Sequence, residues 1–396
     1  MSSIFLVLFW IPLLLLGHSY ILYPLLMRWL SSRREGNRKL YNREDRLPRV
    51  TVLMAAYNEE VVLEQKIQSL FDQNYPKDRL KIYVGSDNST DRTNDILNTN
   101  SGDMLTAVLH SSRQGKPGII NQLVEKVRKI YKEDREHLLL LTDASVMLDK
   151  DTVFHLAKHF KNQEIGMVDA HMTYTGMKDD GISKSENSYL STEVKLKSYE
   201  SKVWGQMIGP FGGCFMMRAD LYKEVPEKFL VDDFFLAMHV LSDGHQVINE
   251  LDAICEEPVT HRDAEEFKRK KRISTGNFQN LLFFANVLNP FSTLGFSFIS
   301  HKVIRWLGPF FMALILVSTI GLYILGSRFW LYLLLGQFVW YMVLPLADSI
   351  FRTMGLNIHL LRSISYFNKM NLALFMGFLK FVGGVRSNIW QPTART

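Results

Sequence analysis

A chain of 396 residues has room for two or three folding units, and its formal net charge of +6 at pH 7 is modest. The charges are segregated, however: residues 1–27, 307–326 and 329–347 hold no Lys, Arg, Asp or Glu, which argues against an ordinary soluble protein because roughly 20 uncharged apolar residues let a helix cross a bilayer. Nothing arranges the basic residues as a nucleic-acid reader, and the two cysteines, Cys214 and Cys255, lack metal-ligand spacing and suit a reduced, cytosolic domain.

The first 27 residues lack the basic start and small-residue cleavage site of a secretory signal; Arg28, Arg33 and Arg34 follow the apolar run instead. This predicts a retained N-terminal transmembrane helix over 1–30, with the chain from residue 28 onward in the cytosol. A basic linker, 31–48, follows and suits anionic membrane lipids. From there apolar, β-branched runs alternate with stretches of helical spacing. "RVTVLMAAY", "LKIYVGSD", "LTAVLH" and "HLLLLTDAS" read as strands; "NEEVVLEQKIQSLFDQ", "NSTDRTNDIL" and "GKPGIINQLVEKVRKIY" read as helices between them. Such alternation predicts an α/β domain over 49–276 with a mostly parallel, Rossmann-like sheet.

The alternation then loosens. "EIGMVDAHMTY" reads as a strand, 184–204 as a polar helix, "GPFGGCFMMR" as a glycine-rich strand entry, and "VDDFFLAMHVLSDG" as a helix opening on two acids. Residues 277–300 are expected to form an amphipathic helix at the membrane interface, and 303–350 two transmembrane helices. The remainder, 351–396, returns to the cytosol; its apolar stretch "MNLALFMGFL" fits a short span, a re-entrant piece or an interfacial helix equally well.

Acids recur at predicted strand ends: Glu59 after the first, Asp87 after the second, Asp143 after the fourth. In a parallel sheet these ends converge on one crevice. Lys116, with Arg113 three residues earlier, opens a helix where it is placed to meet a phosphate. Carboxylates beside cations point to a nucleotide diphosphate with a divalent ion, since Mg2+ and Mn2+ take oxygen ligands and share them with phosphates. Each residue alone also reads as a turn acid, a first-turn acid or a surface charge; the ordered set favours the site.

The order of motifs resembles the family-2 inverting glycosyltransferases of the GT-A fold, in particular the membrane-embedded branch containing hyaluronan, chitin, cellulose and poly-N-acetylglucosamine synthases. "AAYNEE" (55–60) is similar to that family's opening strand motif, which implies that Tyr57 and Glu59 flank the donor's base and ribose. "SDNSTD" (86–91) resembles its D-G-S-T-D turn, implying that Asp87 reads the uracil, and "RQGKPGIIN" (113–121) resembles the segment whose lysine, here Lys116, meets the donor. "TDAS" (142–145) falls at the D-x-D metal motif, making Asp143 a ligand of Mg2+ or Mn2+ with Ser145 in place of the second aspartate. "GPFGGCFMMR" falls at the acceptor motif with Gly212 and Gly213, and "VDD" (231–233) at the T-E-D motif, implying Asp233 as catalytic base and Asp232 as its acidic neighbour. "RKKRISTG" (269–276) falls where processive synthases carry Q-x-x-R-W: Arg272 matches the donor-binding arginine, Arg269 stands for the acceptor-side glutamine, and Ile273 for the tryptophan.

The resemblance, which covers about 50–280, implies a multi-pass enzyme of the cytoplasmic membrane whose catalytic domain faces the cytosol. It implies a UDP-sugar donor, direct displacement with inversion, and a growing polysaccharide as glycan acceptor, with room for accessory polysaccharide-export subunits. The alternative is transfer of one sugar to a lipid acceptor, a polyprenyl phosphate or glycerolipid, which the missing tryptophan favours.

Overall fold

The computed structural model describes residues 2–132, 134, 136–175, 182–258, 263–326 and 328–385. They fall into two units, which are taken separately. One comprises the described residues within Leu30–Gly176 and Lys197–Thr260. Its first strand, β1 (Val50–Ala56), is buried along its whole length, as an apolar run flanked by parallel neighbours on both sides must be. β2 (Leu80–Ser86), β3 (Leu105–Leu109) and β4 (Leu138–Thr142) lie parallel in the order β3-β2-β1-β4. The register pairs Ala56 with Ser86 and Ser86 with Leu109, while Leu53 pairs with Leu141. The residues after each strand therefore emerge at one sheet edge.

The second half of the sheet is mixed rather than purely parallel. β5 (Met147–Leu148), β6 (Ile165–Thr175), β7 (Cys214–Arg218) and β8 (Gln246–Pro258) extend it to β3-β2-β1-β4-β7-β6-β8-β5. β7 runs antiparallel to both β4 and β6, and β8 runs parallel to β6. Sequence reading finds neither β5, which has two residues, nor β8. The acids and polar residues of "QVINELDAICEEP" break period-two alternation, and its pairing with β6 shifts register between Ala170 and His171. Because β4 and β7 are antiparallel neighbours, the end of one meets the start of the other: Thr142 pairs with Cys214, and the Asp143 N–H donates to Gly213 O at 3.0 Å. This juxtaposition brings the glycine-rich segment beside the Asp143 turn.

The other unit comprises the described residues within Met1–Trp29, Met177–Leu196 and His261–Gly384 and is helical. Among the described residues two helical runs, Ser2–Ser31 and Arg328–Thr353, are long and apolar enough to cross a membrane. A third candidate, Thr293–Trp306 with Gly308–Ile324, is bent by 62°. Pro309 at the bend carries no N–H to continue the ladder. The stretch 277–300 is not one helix. Asn277 to Phe283 complete the helix Asp263–Phe283, a 3-10 turn spans Ala285–Val287, and a new helix, Thr293–Phe298, starts where Ser292 Oγ accepts the Gly295 N–H at 3.0 Å. Pro290 keeps Asn289 out of helical geometry, so the new helix starts only beyond it. The "MNLALFMGFL" stretch lies within a single 24-residue helix, His359–Val382.

Candidate active site

The two turns that leave β1 and β2 lock each other. Asn58 and Asn88 both take left-handed backbone conformations, φ 52° and 57°, which asparagine tolerates better than most residues. Asn58 Oδ1 accepts the Thr90 N–H at 2.9 Å, and the Asn58 N–H donates to Ser89 Oγ at 3.2 Å. Asp91 accepts the N–H groups of Glu60 and Thr93 at 3.1 and 3.0 Å, so this acid of "SDNSTD" holds the turn. Asp87 is fully buried and accepts from Arg113 Nε at 3.0 Å and from the N–H groups of Gln114 and Gly115 at 2.6 and 3.1 Å. It thereby anchors the start of the helix Gly115–Ile130. The Arg113 guanidinium lies over the Tyr57 ring, 3.2 Å from its centroid. Tyr57, Asp87 and Arg113 thus form one group, and Glu59 is buried at the same edge.

Lys116, in the first turn of that helix, joins a second group. Its Nζ is 2.9 Å from Asp143 Oδ1 and 3.4 Å from Asp232 Oδ2. Burial alone lowers a lysine's proton affinity, but Asp143, Asp232 and Asp233 outweigh it and hold Lys116 charged, above its ordinary range. The Asp143 carboxylate remains 41% exposed, whereas Ser145 is buried. Beneath the turn lies Lys66, fully buried, donating to Thr142 Oγ1 at 2.8 Å and Val146 O at 2.5 Å. Desolvation pushes its ammonium down to about 8.

Asp233 opens the helix Asp232–Ser242 and faces Gly212. Gly212 has φ +83°, and a Cβ there would collide with Asp233 Oδ2. No other residue type fits both requirements. Gly213 packs against Met172 and Val146. Burial, and then the like charge of Asp232, push the Asp233 carboxyl up to about 6, against the pull of Lys116, the Phe234 N–H and Lys197. A carboxylate with raised proton affinity beside a lysine and a second acid is suited to taking a proton near neutral pH.

Of the residues singled out from sequence, Tyr57, Asp87, Lys116, Asp143, Gly212, Asp232 and Asp233 come together at the edge where β1, β2, β4 and β7 meet. Arg269 and Arg272 lie on the helix Asp263–Phe283 in the helical unit. Sequence reading missed Lys66, Asp169 and Lys197. Asp169 left a faint signal, a lone acid inside an apolar strand; the two lysines left none, since a lysine on a helix reads as solvated.

No group of three His, Cys, Asp or Glu side chains among the described residues is placed to hold a metal. The exposed carboxylate of Asp143 still offers hard oxygen donors, which fit Mg2+ or Mn2+ when a diphosphate supplies further ligands.

Residues 51–226 match the family model described as Glycosyl transferase family 2. That segment is similar to the family-2 glycosyltransferase domain. Among relatives, a probable glycosyltransferase, YdaM, of Bacillus subtilis (strain 168) is 35% identical over 123 residues, 30% of this chain and 28% of that protein. A beta-monoglucosyldiacylglycerol synthase of Nostoc sp. (strain PCC 7120) is 25% identical over 245 residues, 60% of this chain and 50% of that protein. The chain thus spans half or less of these two relatives. Among solved structures, the mannosyltransferase PcManGT from Pyrobaculum calidifontis, in complex with GDP-Man and Mn2+, superposes with a TM-score of 0.67 at 20% identity, covering 95% of this chain and 99% of that one. At that identity the likeness establishes a shared GT-A fold.

Proposed function

We propose that this protein is a membrane-bound inverting glycosyltransferase that moves one sugar from a nucleoside-diphosphate sugar to a hydroxyl of a lipid acceptor. The observation that carries the chemistry is the triangle of Lys116 with Asp143 and Asp232, set beside Asp233 under Gly212. The acceptor oxygen attacks the anomeric carbon, its proton passes to the Asp233 carboxylate, and the bond to the diphosphate breaks with its electron pair leaving on phosphate. A single backside displacement inverts the anomeric centre. Lys116 offers the departing diphosphate a fixed positive charge. Asp143, with Ser145 nearby, is the residue to hold Mg2+ or Mn2+; the bound ion would supply Lewis-acid assistance to the same leaving group. The nucleoside is assigned to the group formed by Tyr57, Asp87 and Arg113, with Asp87 holding Arg113 in place.

The lipid acceptor is supported by the relatives named beta-monoglucosyldiacylglycerol synthase and by Ile273 standing where processive enzymes carry a stacking tryptophan. Transfer to a growing polysaccharide is the second reading, supported by the motif order. A donor screen with radiolabelled UDP- and GDP-sugars on detergent-purified protein, with Mg2+ and Mn2+, separates the two: a single lipid-soluble product is expected, and a ladder or polymer would overturn the lipid reading. Asp233→Asn is expected to lower transfer at least about a hundredfold while leaving nucleotide affinity nearly unchanged. Retained turnover removes Asp233 as base.

A further inference from the structure

A buried ion pair lies under the acceptor motif. Asp169, in β6, is fully buried, and Lys197, on the helix Ile182–Trp204, is 1% exposed. Lys197 Nζ is 3.9 Å from Asp169 Oδ2 and 3.3 Å from the centroid of the Phe211 ring. The same Oδ2 accepts the Phe211 N–H at 3.0 Å, while Oδ1 is buried with no hydrogen-bond partner among the described residues. Phe211 is followed by Gly212, the residue whose backbone lies against Asp233. A continuous path therefore runs from Lys197 through Asp169 and the Phe211–Gly212 backbone to Asp233.

An ion pair this deep costs desolvation that loose geometry does not recover, and replacing such a pair by apolar residues is often neutral or stabilising. At 3.9 Å, with one carboxylate oxygen left unbonded, this pair is a poor device for stability. Its place beside the acceptor backbone gives it another use. We propose that Asp169 and Lys197 are positioning residues, a buried clamp that holds the Phe211–Gly212 backbone and sets the charge field in which Asp233 receives the acceptor's proton. The inference rests on Asp233 being the base.

The groups facing the clamp are Asp233 from the helix Asp232–Ser242 and Cys255 from β8, which in turn meets Cys214 of β7 and Lys66. On the elements of the pair itself, Glu200 accepts the Ile208 N–H at 3.1 Å, and His171 turns to Leu251 O at 3.1 Å. Beyond Asp233 stand Asp232 and Lys116. Lys197 stabilises the Asp233 carboxylate, whereas Asp169 and Asp233 repel one another when both are charged.

The two substitutions should therefore move the acid limb of the pH–turnover profile in opposite directions. With nucleoside diphosphate release from the active donor as readout, Lys197→Gln is expected to move the limb to higher pH by about half a unit or more. Asp169→Asn is expected to move it to lower pH by less, because burial pushes the Asp169 carboxyl up to about 7 and leaves it partly protonated there. Both should lower kcat, with donor KM changed less than twofold. Limbs that stay put, or shift the same way in both variants, overturn the clamp. Should one variant fail to fold, the sign of the shift in the other decides. Asp233→Asn run alongside separates the levels: if it still transfers sugar, the base reading falls and takes the clamp with it. If it is inactive while the limbs of the other variants are unmoved, the clamp alone falls.

Discussion

The environment of Asp233 sets stability against the proposed chemistry. Its carboxyl is raised to about 6 by burial and by Asp232, against an ordinary aspartate value near 3.9. An acid raised in the folded state favours the protonated fold. The penalty is absent below about pH 4, grows through the interval between the two values, and is complete above about pH 6. Asp233→Asn is therefore expected to raise Tm relative to the parent at pH 8 and to leave it nearly unchanged at pH 4, as followed by thermal unfolding at both pH values. A fall in Tm at pH 8 would show that the carboxylate is not under strain. Asp143 behaves differently, being exposed and paired with Lys116. Asp143→Ala should weaken donor binding in the presence of Mn2+ more than in its absence, measured by calorimetric titration; equal weakening in both would remove it as the ion's ligand.

At the level of elements, turns rather than strands hold the candidate site residues. The turn after β4 rests on Lys66, whose ammonium bonds Thr142 and Val146 from below. Lys66→Met is expected to raise the Kd for the donor severalfold while leaving the acid limb of turnover, assigned to Asp233 under the proposed function, in place; unchanged donor affinity would show that the turn holds itself. The turn before β7 depends on Gly212. Gly212→Ala forces an L-residue to φ +83° and drives a methyl group into Asp233. It is expected to cost about 1–2 kcal/mol from the backbone alone, read by denaturant unfolding, and to reduce turnover more than tenfold. The strands themselves were legible as sequence. β1, β2, β3 and β4 are short apolar or β-branched runs between helical spacings, and the acids at their ends follow from parallel geometry. β8 was not legible, because its residues are half polar and its strand character comes from pairing with β6. Part of the break of 277–300 was legible in Pro290, across which amphipathic spacing reads unless the missing N–H is counted; the helix end at Phe283, seven residues earlier, was not.

On the scale of the whole molecule, the segregation of charge has a direct structural counterpart. Ser2–Ser31 and Arg328–Thr353 are apolar helices of spanning length. Within the helical unit Phe9, Ile315, Leu322 and Trp330 pack together. The protein is expected to remain in the membrane pellet after an alkaline carbonate wash, checked by blotting both fractions; release into the supernatant would leave the helices as surface-bound rather than spanning.

The amino-acid sequence by itself determined the alternating α/β pattern, the apolar segments and the order of motifs, because these rest on local periodicity and on residue types at short spacing. Tertiary structure decided which charges meet. Lys116 finds Asp143 and Asp232, Gly212 finds Asp233, and Asp169 finds Lys197 across gaps of 27, 116, 21 and 28 residues. The contact of Lys116 with Asp143 arises within the parallel half of the sheet, whereas Gly212 and Asp169 are brought in beside an antiparallel strand, and no periodicity in a linear sequence encodes which distant side chains such a topology brings face to face.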